Sequence, residues 1–200
     1  GGSYTVSDGV VFFCNATDQR LYRQDPSDDL RPVTPEGPWR YADMRIDVAR
    51  QRLIAVREDH DDSLSEPANS LVAIGFDGSV SILAEGTDFY AAPRLSPDGS
   101  LLAFLTWDHP DMPWDACQLW LAAVGSDGVL EAPQRIDGGD GEAVFQPEWS
   151  PDGVLHYVID RPGWWNLQRW DGTKAVPVCP MKAEFGLPQW VFGMTTYGFD

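Results

Sequence analysis

The sequence predicts an all-β chain, a partial β-propeller of about three to four four-stranded antiparallel blades, and three observations carry that prediction. The stretch from Arg45 to His60 aligns without gaps with Arg94 to His109, 49 residues on, and Ser96-Pro97-Asp98-Gly99 returns 54 residues later as Ser150-Pro151-Asp152-Gly153. A second marker keeps step: Leu21-Tyr22, Leu71-Val72, Leu119-Trp120 and Leu167-Gln168 each open a short apolar run, at intervals of 50, 48 and 48. No capped stretch sustains the apolar period of a helix, and 19 glycines and 16 prolines punctuate the chain throughout.

Each period reads as strand, turn, strand, loop, strand, turn, strand. Ser-Pro-Asp-Gly closes the first hairpin: proline presets φ, aspartate bonds its own backbone, and glycine takes the final strained angle. Leu101 to Trp107 is apolar nearly throughout, as a strand buried on both faces should be, and Gln118 to Val124 follows it, then a Ser126-Asp127-Gly128 turn. Asp77-Gly78 and Asp171-Gly172 hold the same place in the neighbouring periods. The units so counted are a fragmentary first blade over 4–34, fuller blades over 35–83, 84–136 and 137–178, and the start of another over 181–200, where Phe185 to Trp190 echoes Val144 to Trp149. The whole of 1–200 is then one incomplete propeller, whose open end blades favour self-association into a homo-oligomer.

Fourteen Lys+Arg against 31 Asp+Glu give a formal charge of −17 at pH 7. Such a chain repels phosphate backbones and anionic lipid, so neither nucleic acid nor a membrane is an expected partner, and cationic groups are. No apolar run nears the ~20 residues needed to span a bilayer. Cys14, Cys117 and Cys179 are far apart and without CxxC spacing, which signals neither a disulfide framework nor a zinc site. The expectation is buried free thiols in a reducing cytoplasm, with no metal and no cofactor.

Five stretches carry a family likeness: Asp88 to Gly99, Thr106 to Asp115, Phe145 to Gly153, Gly163 to Leu167 and Glu184 to Gly193. Together they resemble the N-terminal propeller of dipeptidyl aminopeptidase and acylaminoacyl-peptidase-like members of the prolyl oligopeptidase family of serine peptidases. The two tryptophan-rich loops are the more specific part of the likeness. It implies an enzyme in two parts, a propeller that filters and orients a peptide substrate and a C-terminal α/β-hydrolase domain with a Ser-Asp-His triad. No Gly-x-Ser-x-Gly elbow occurs here, so no catalytic residue is carried over. The chain is expected to lack the hydrolase domain and to be inactive alone, while its parent releases aminoacyl or dipeptidyl units.

Propeller topology puts the loops between second and third strands, and those between blades, at one end. There fall Glu58, Asp59, Asp61, Asp62, Glu66, Asp88, Asp108, Asp111, Asp115, Asp140, Glu142, Asp160 and Glu184, along with Trp39, Tyr90, Trp114, Trp164, Trp165 and Trp190. Carboxylates pair with an ammonium, and flat rings add contact area and cation–π attraction. The resemblance implies that propeller carboxylates hold the free amine of the substrate. Glu142, Glu148 and Glu184 are the candidates, each read as sitting where the chain enters an innermost strand. Trp114, Trp164 and Trp165 form the reachable aromatic rim, whereas Trp107, Trp120, Trp149 and Trp170 lie in strands and pack between blades. Asp59-His60 and Asp108-His109 recur at one repeat position, which favours a structural hydrogen bond over metal or acid–base work. The rival expectation is a non-catalytic propeller of the TolB or WD-repeat sort that presents its acidic rim to a basic protein.

Overall fold

The structure is a computed structural model describing residues 1–200 other than Asp28, Asp62, Leu64 and Pro162. Sixteen strands form four antiparallel sheets of four, each in chain order. The chain divides into two units, Gly1–Thr87 and Asp88–Asp200, with two sheets in each.

In the first unit, β1 (Tyr4–Ser7), β2 (Val10–Cys14), β3 (Leu21–Gln24) and β4 (Arg31–Pro32) make a complete but short-stranded sheet. Its neighbour is built from β5 (Trp39–Asp47), β6 (Arg52–Asp59), β7 (Ala68–Gly75) and β8 (Val80–Glu85). Leu53, Ile54, Ala55 and Val56 are consecutive and all buried, so β6 needs cover on both faces. One core gathers Phe12 and Leu21 from the first sheet with Met44, Leu53, Ala55, Val72 and Ile74 from the second.

The second unit repeats the plan with β9 (Phe89–Leu95), β10 (Leu101–Trp107), β11 (Gln118–Val124) and β12 (Leu130–Gly138), then β13 (Val144–Trp149), β14 (Leu155–Ile159), β15 (Asn166–Trp170) and β16 (Ala175–Pro177). Ala103, Leu105 and Leu119 share a core with Val144, Leu155 and Tyr157. Cys117 stitches the two sheets: its Sγ bonds Val144 O and accepts from Val144 N, both at 3.0 Å. Burial pushes that thiol up to about 12. Cys14 is half-buried and Cys179 exposed, so of the three expected buried thiols only Cys117 is fully enclosed. Trp107, Trp149 and Trp170 pack against the same core from the strands, and Trp120 stacks on Phe104.

The repeat extends to backbone strain. Asp43, Ala92 and Gln146 take φ of 51°, 51° and 48°, each at a β-bulge in the first strand of its sheet, and they are separated by the 49- and 54-residue steps of the sequence repeat. The bulge leaves Gln146 buried, where its side chain receives the C-terminal stretch: Thr196 N donates to Oε1 at 2.6 Å and Nε2 donates to Tyr197 O at 2.8 Å. Residues 181–200, expected to open a further blade, carry no strand and lie along the β13–β16 sheet by these bonds.

The Ser-Pro-Asp-Gly turns are tight. Ser96 Oγ donates to Asp98 Oδ1 at 2.6 Å, Leu101 N returns to Ser96 Oγ at 2.9 Å, and Ser150 and Asp152 repeat the first bond. Hydroxyl donation from Ser96, then the Ser100 N–H and hydroxyl, hold the Asp98 carboxyl down to about 2. Because the folded value lies below the ordinary one of about 3.9, this carboxylate supports the fold above pH 4 and loses that support as pH falls towards 2. Asp98→Asn is expected to flatten the fall in thermal stability between pH 4 and 2, measured by calorimetry.

Two glycines with positive φ separate strain from crowding. A Cβ at Gly153 (φ 81°) meets nothing within 4 Å, whereas one at Gly138 (φ 73°) meets Cys117 O at 2.3 Å and Val144 Cγ2 at 2.7 Å. Gly153→Ala is expected to cost about 1 kcal/mol from φ alone, and Gly138→Ala about 3 kcal/mol or more, in urea denaturation.

Candidate functional site

In three of the sheets an aspartate at the end of the second strand ties down the start of the first. Asp59 Oδ2 accepts from Trp39 Nε1 at 3.1 Å, Asp108 Oδ1 from Asp88 N at 2.7 Å, and Asp160 Oδ1 from Ala143 N at 2.8 Å. The recurring Asp-His pairs are therefore loop fasteners. Their histidines pair with other acids, His60 Nε2 with Glu58 Oε2 at 2.9 Å and His109 with Asp88 Oδ2 through both N (2.9 Å) and Nδ1 (3.1 Å). The backbone and ring bonds from His109 hold the Asp88 carboxyl below its usual range, while burial raises that of Asp160. His156, half-buried in β14, meets Val154 O and the Phe199 ring. Much of the acidic end is thus structural. Asp62 lies outside the described residues.

The three candidate carboxylates are not brought together. Glu142 precedes β13 and is gripped by Arg161, Nε to Oε1 at 2.7 Å and Nη2 to Oε2 at 2.8 Å. The same guanidinium reaches the buried Asp137, which accepts from Tyr157 OH at 2.5 Å. Glu148 is not at a strand entrance as expected; it is the penultimate residue of β13, on the order of 15–20 Å of strand from Glu142. There its Oε2 accepts from Nε of the buried Arg94 at 3.1 Å. Glu184 accepts a neutral donor, Trp165 N at 2.8 Å, and forms no ion pair among the described residues.

What the structure does gather is Glu184 with Trp165, on a segment that also carries Trp190 to Trp114. The 183–190 segment crosses two loops of the second unit: Trp190 meets Trp114 with ring centroids 4.2 Å apart, and Gly186 lies flat on Trp165, where a Cβ would come within 2.6 Å of the ring. Phe185 N donates to Trp165 O at 2.7 Å, and Phe145 meets the Trp165 ring edge-on. Trp190, expected at the acidic and aromatic end but not counted among the three reachable tryptophans, is 72% exposed. The echo of 144–149 by 185–190 implied the start of a blade, and no strand forms there. Trp164 lines a cavity beside β15 and β16.

Among the described residues no group of three or more His, Cys, Asp or Glu side chains is placed to hold a metal ion, and no helix is long and apolar enough to cross a membrane.

Four consecutive four-stranded antiparallel sheets define the class, an all-β partial propeller. No protein-family model and no curated protein matches the sequence. Among solved structures, puromycin hydrolase is 33% identical over 97% of this chain at a TM-score of 0.86, and a mutant of it has been solved complexed with PGG. A puromycin-hydrolyzing peptidase from Mycobacterium tuberculosis is 34% identical over 96% of the chain at 0.87. The chain spans 33% of the length of each. A putative TolB from Agrobacterium tumefaciens, 13% identical over 90% of this chain and 62% of its own at a TM-score of 0.62, shares the fold alone. The chain belongs to the prolyl oligopeptidase family of peptidases, as a propeller portion about one third the length of these relatives.

Arg161 holds two carboxylates of the second unit at once, Glu142 and the buried Asp137. Arg161→Gln is expected to lower unfolding free energy by about 2 kcal/mol, because the Asp137 charge keeps only the neutral donors Tyr157 OH and Gly138 N, and Glu142→Gln by less than 1 kcal/mol, read from urea midpoints.

Proposed function

We propose that this propeller portion receives the free amino end of a peptide and orients it for the hydrolase domain of its parent, which carries out the covalent step. The observation that carries the reading is the state of Glu184. Arg161 offsets the charge of Glu142 and Arg94 that of Glu148, whereas the Glu184 carboxylate holds only a neutral N–H and keeps its full attraction for a cation. Its segment lies on the Trp165 ring at Gly186 and carries Trp190 to Trp114, and these rings offer flat contact area. The two puromycin-hydrolysing relatives, which the chain matches over nearly all its length, support a peptide-like substrate, and release of aminoacyl or dipeptidyl units is the specificity we assign to the parent. Three free thiols support a reducing, cytoplasmic setting.

Glycyl-phenylalaninamide, with its amine free, is expected to bind the chain at least about fivefold more tightly than its acetylated twin by calorimetry, and Glu184→Gln to erase that preference. Equal affinities for the two peptides would overturn the assignment. Aminoacyl and dipeptidyl chromogenic substrates should not be turned over by these 200 residues; turnover sensitive to a serine-hydrolase inhibitor would refute the division of labour.

A further inference from the structure

We propose that the cavity beside β15 and β16 is a second recognition site, one that takes the apolar carboxy-terminal residue of a peptide. It encloses 530 Å³, the size of a small-ligand pocket, and Ile159, Trp164, Pro177 and Met181 supply apolar wall. Two carboxamides face it. Asn166 is fully engaged: Nδ2 donates to Trp164 O (3.3 Å) and Ala183 O (3.1 Å), and Oδ1 accepts from Met181 N at 2.8 Å. Gln168 is not. Only 7% exposed, it lines the same cavity, and its side-chain amide makes no hydrogen bond among the described residues.

The Gln168 amide opens onto the cavity and is not sealed in the core, so its donors and acceptor are available to a ligand that enters. Gln168 offers an acceptor and two donors, the complement of the N–H and C=O of a peptide unit. Charge selects the end of the peptide. Arg161 and Lys182 both reach the cavity, but the guanidinium is committed to Glu142 and Asp137, while Lys182 forms no ion pair among the described residues. In a chain with 31 acidic residues, a cation left without one on the cavity rim favours a carboxylate and repels an ammonium. Apolar side chain, peptide unit and carboxylate thus find wall, Gln168 and Lys182 in turn. This assignment is independent of Glu184, and an N-acetylated probe tests it alone.

N-acetyl-glycyl-leucine titrated into the 200-residue chain is expected to shift the Gln168 side-chain amide resonances. Its carboxamide analogue is expected to bind about tenfold more weakly. Lys182→Gln should remove that tenfold difference, and Gln168→Met, similar in volume but unable to pair, should abolish binding with the remaining amide spectrum retained. The proposal fails if millimolar probe leaves the Gln168 resonances in place, or if acid and amide bind the wild-type chain equally. Should Gln168→Met not fold, Lys182→Gln on the exposed rim decides by itself: an undiminished preference for the acid overturns the site.

Discussion

A sheet of four short strands with apolar residues on both faces cannot be stable by itself, and the rest of this molecule follows from that constraint. In β6 and again in β10, buried residues run consecutively and do not alternate, so both faces demand a neighbour. Each unit meets the demand by giving two sheets one core. Strand side chains are thereby committed to packing, and groups that meet a ligand are left to the loops and to the segment after the last strand. Those loops are long and polar, and the Asp59, Asp108 and Asp160 fasteners hold them to the strand starts. The fastening spends carboxylates that would otherwise count towards a binding surface.

The repeat was legible because it rests on residue types with local meaning. Ser-Pro-Asp-Gly specifies its turn through proline and aspartate chemistry, and the apolar runs at steady intervals specify strands whatever surrounds them. The bulges were not legible. Asp43, Ala92 and Gln146 share one backbone conformation and no chemistry, and none is the glycine that announces positive φ. Nor did the sequence announce the ion pairs. Glu142 and Arg161 are 19 residues apart, Arg94 and Glu148 54, and only the antiparallel pairing and sheet stacking make them partners. The 181–200 stretch was misread for a related reason: the likeness of 185–190 to 144–149 suggested the start of a blade, but a strand forms only beside a partner, and here the segment bonds to Gln146 and Trp165 instead.

Charge shows why composition identifies a class of partner and not a site. A count of −17 treats every carboxylate as equivalent, yet the described structure sorts them into three states. Some accept backbone N–H groups and hold loops. Others, Glu142, Glu148 and Asp137, are matched by arginine at close range and exert little field beyond it. Glu184 alone of the three candidates keeps a formal charge facing only neutral donors, and its segment lies on the Trp165 ring at Gly186.

The same sorting applies to cations and explains how adjacent residues come to serve opposite chemistry. Trp164 and Trp165 are neighbours in the chain, and Asn166, which starts β15 immediately after them, bonds Trp164 O and Ala183 O; Trp164 lines the cavity beside β15 and β16, whereas Trp165 carries Gly186 on its ring. Trp165 is left with Glu184 and Gly186, the setting proposed for an ammonium; Trp164 is left with Gln168 and Lys182, the setting proposed for a carboxylate. On these two proposals a short loop beside one asparagine separates surfaces of opposite electrostatic preference, and an acidic chain retains a place where an anion is welcome.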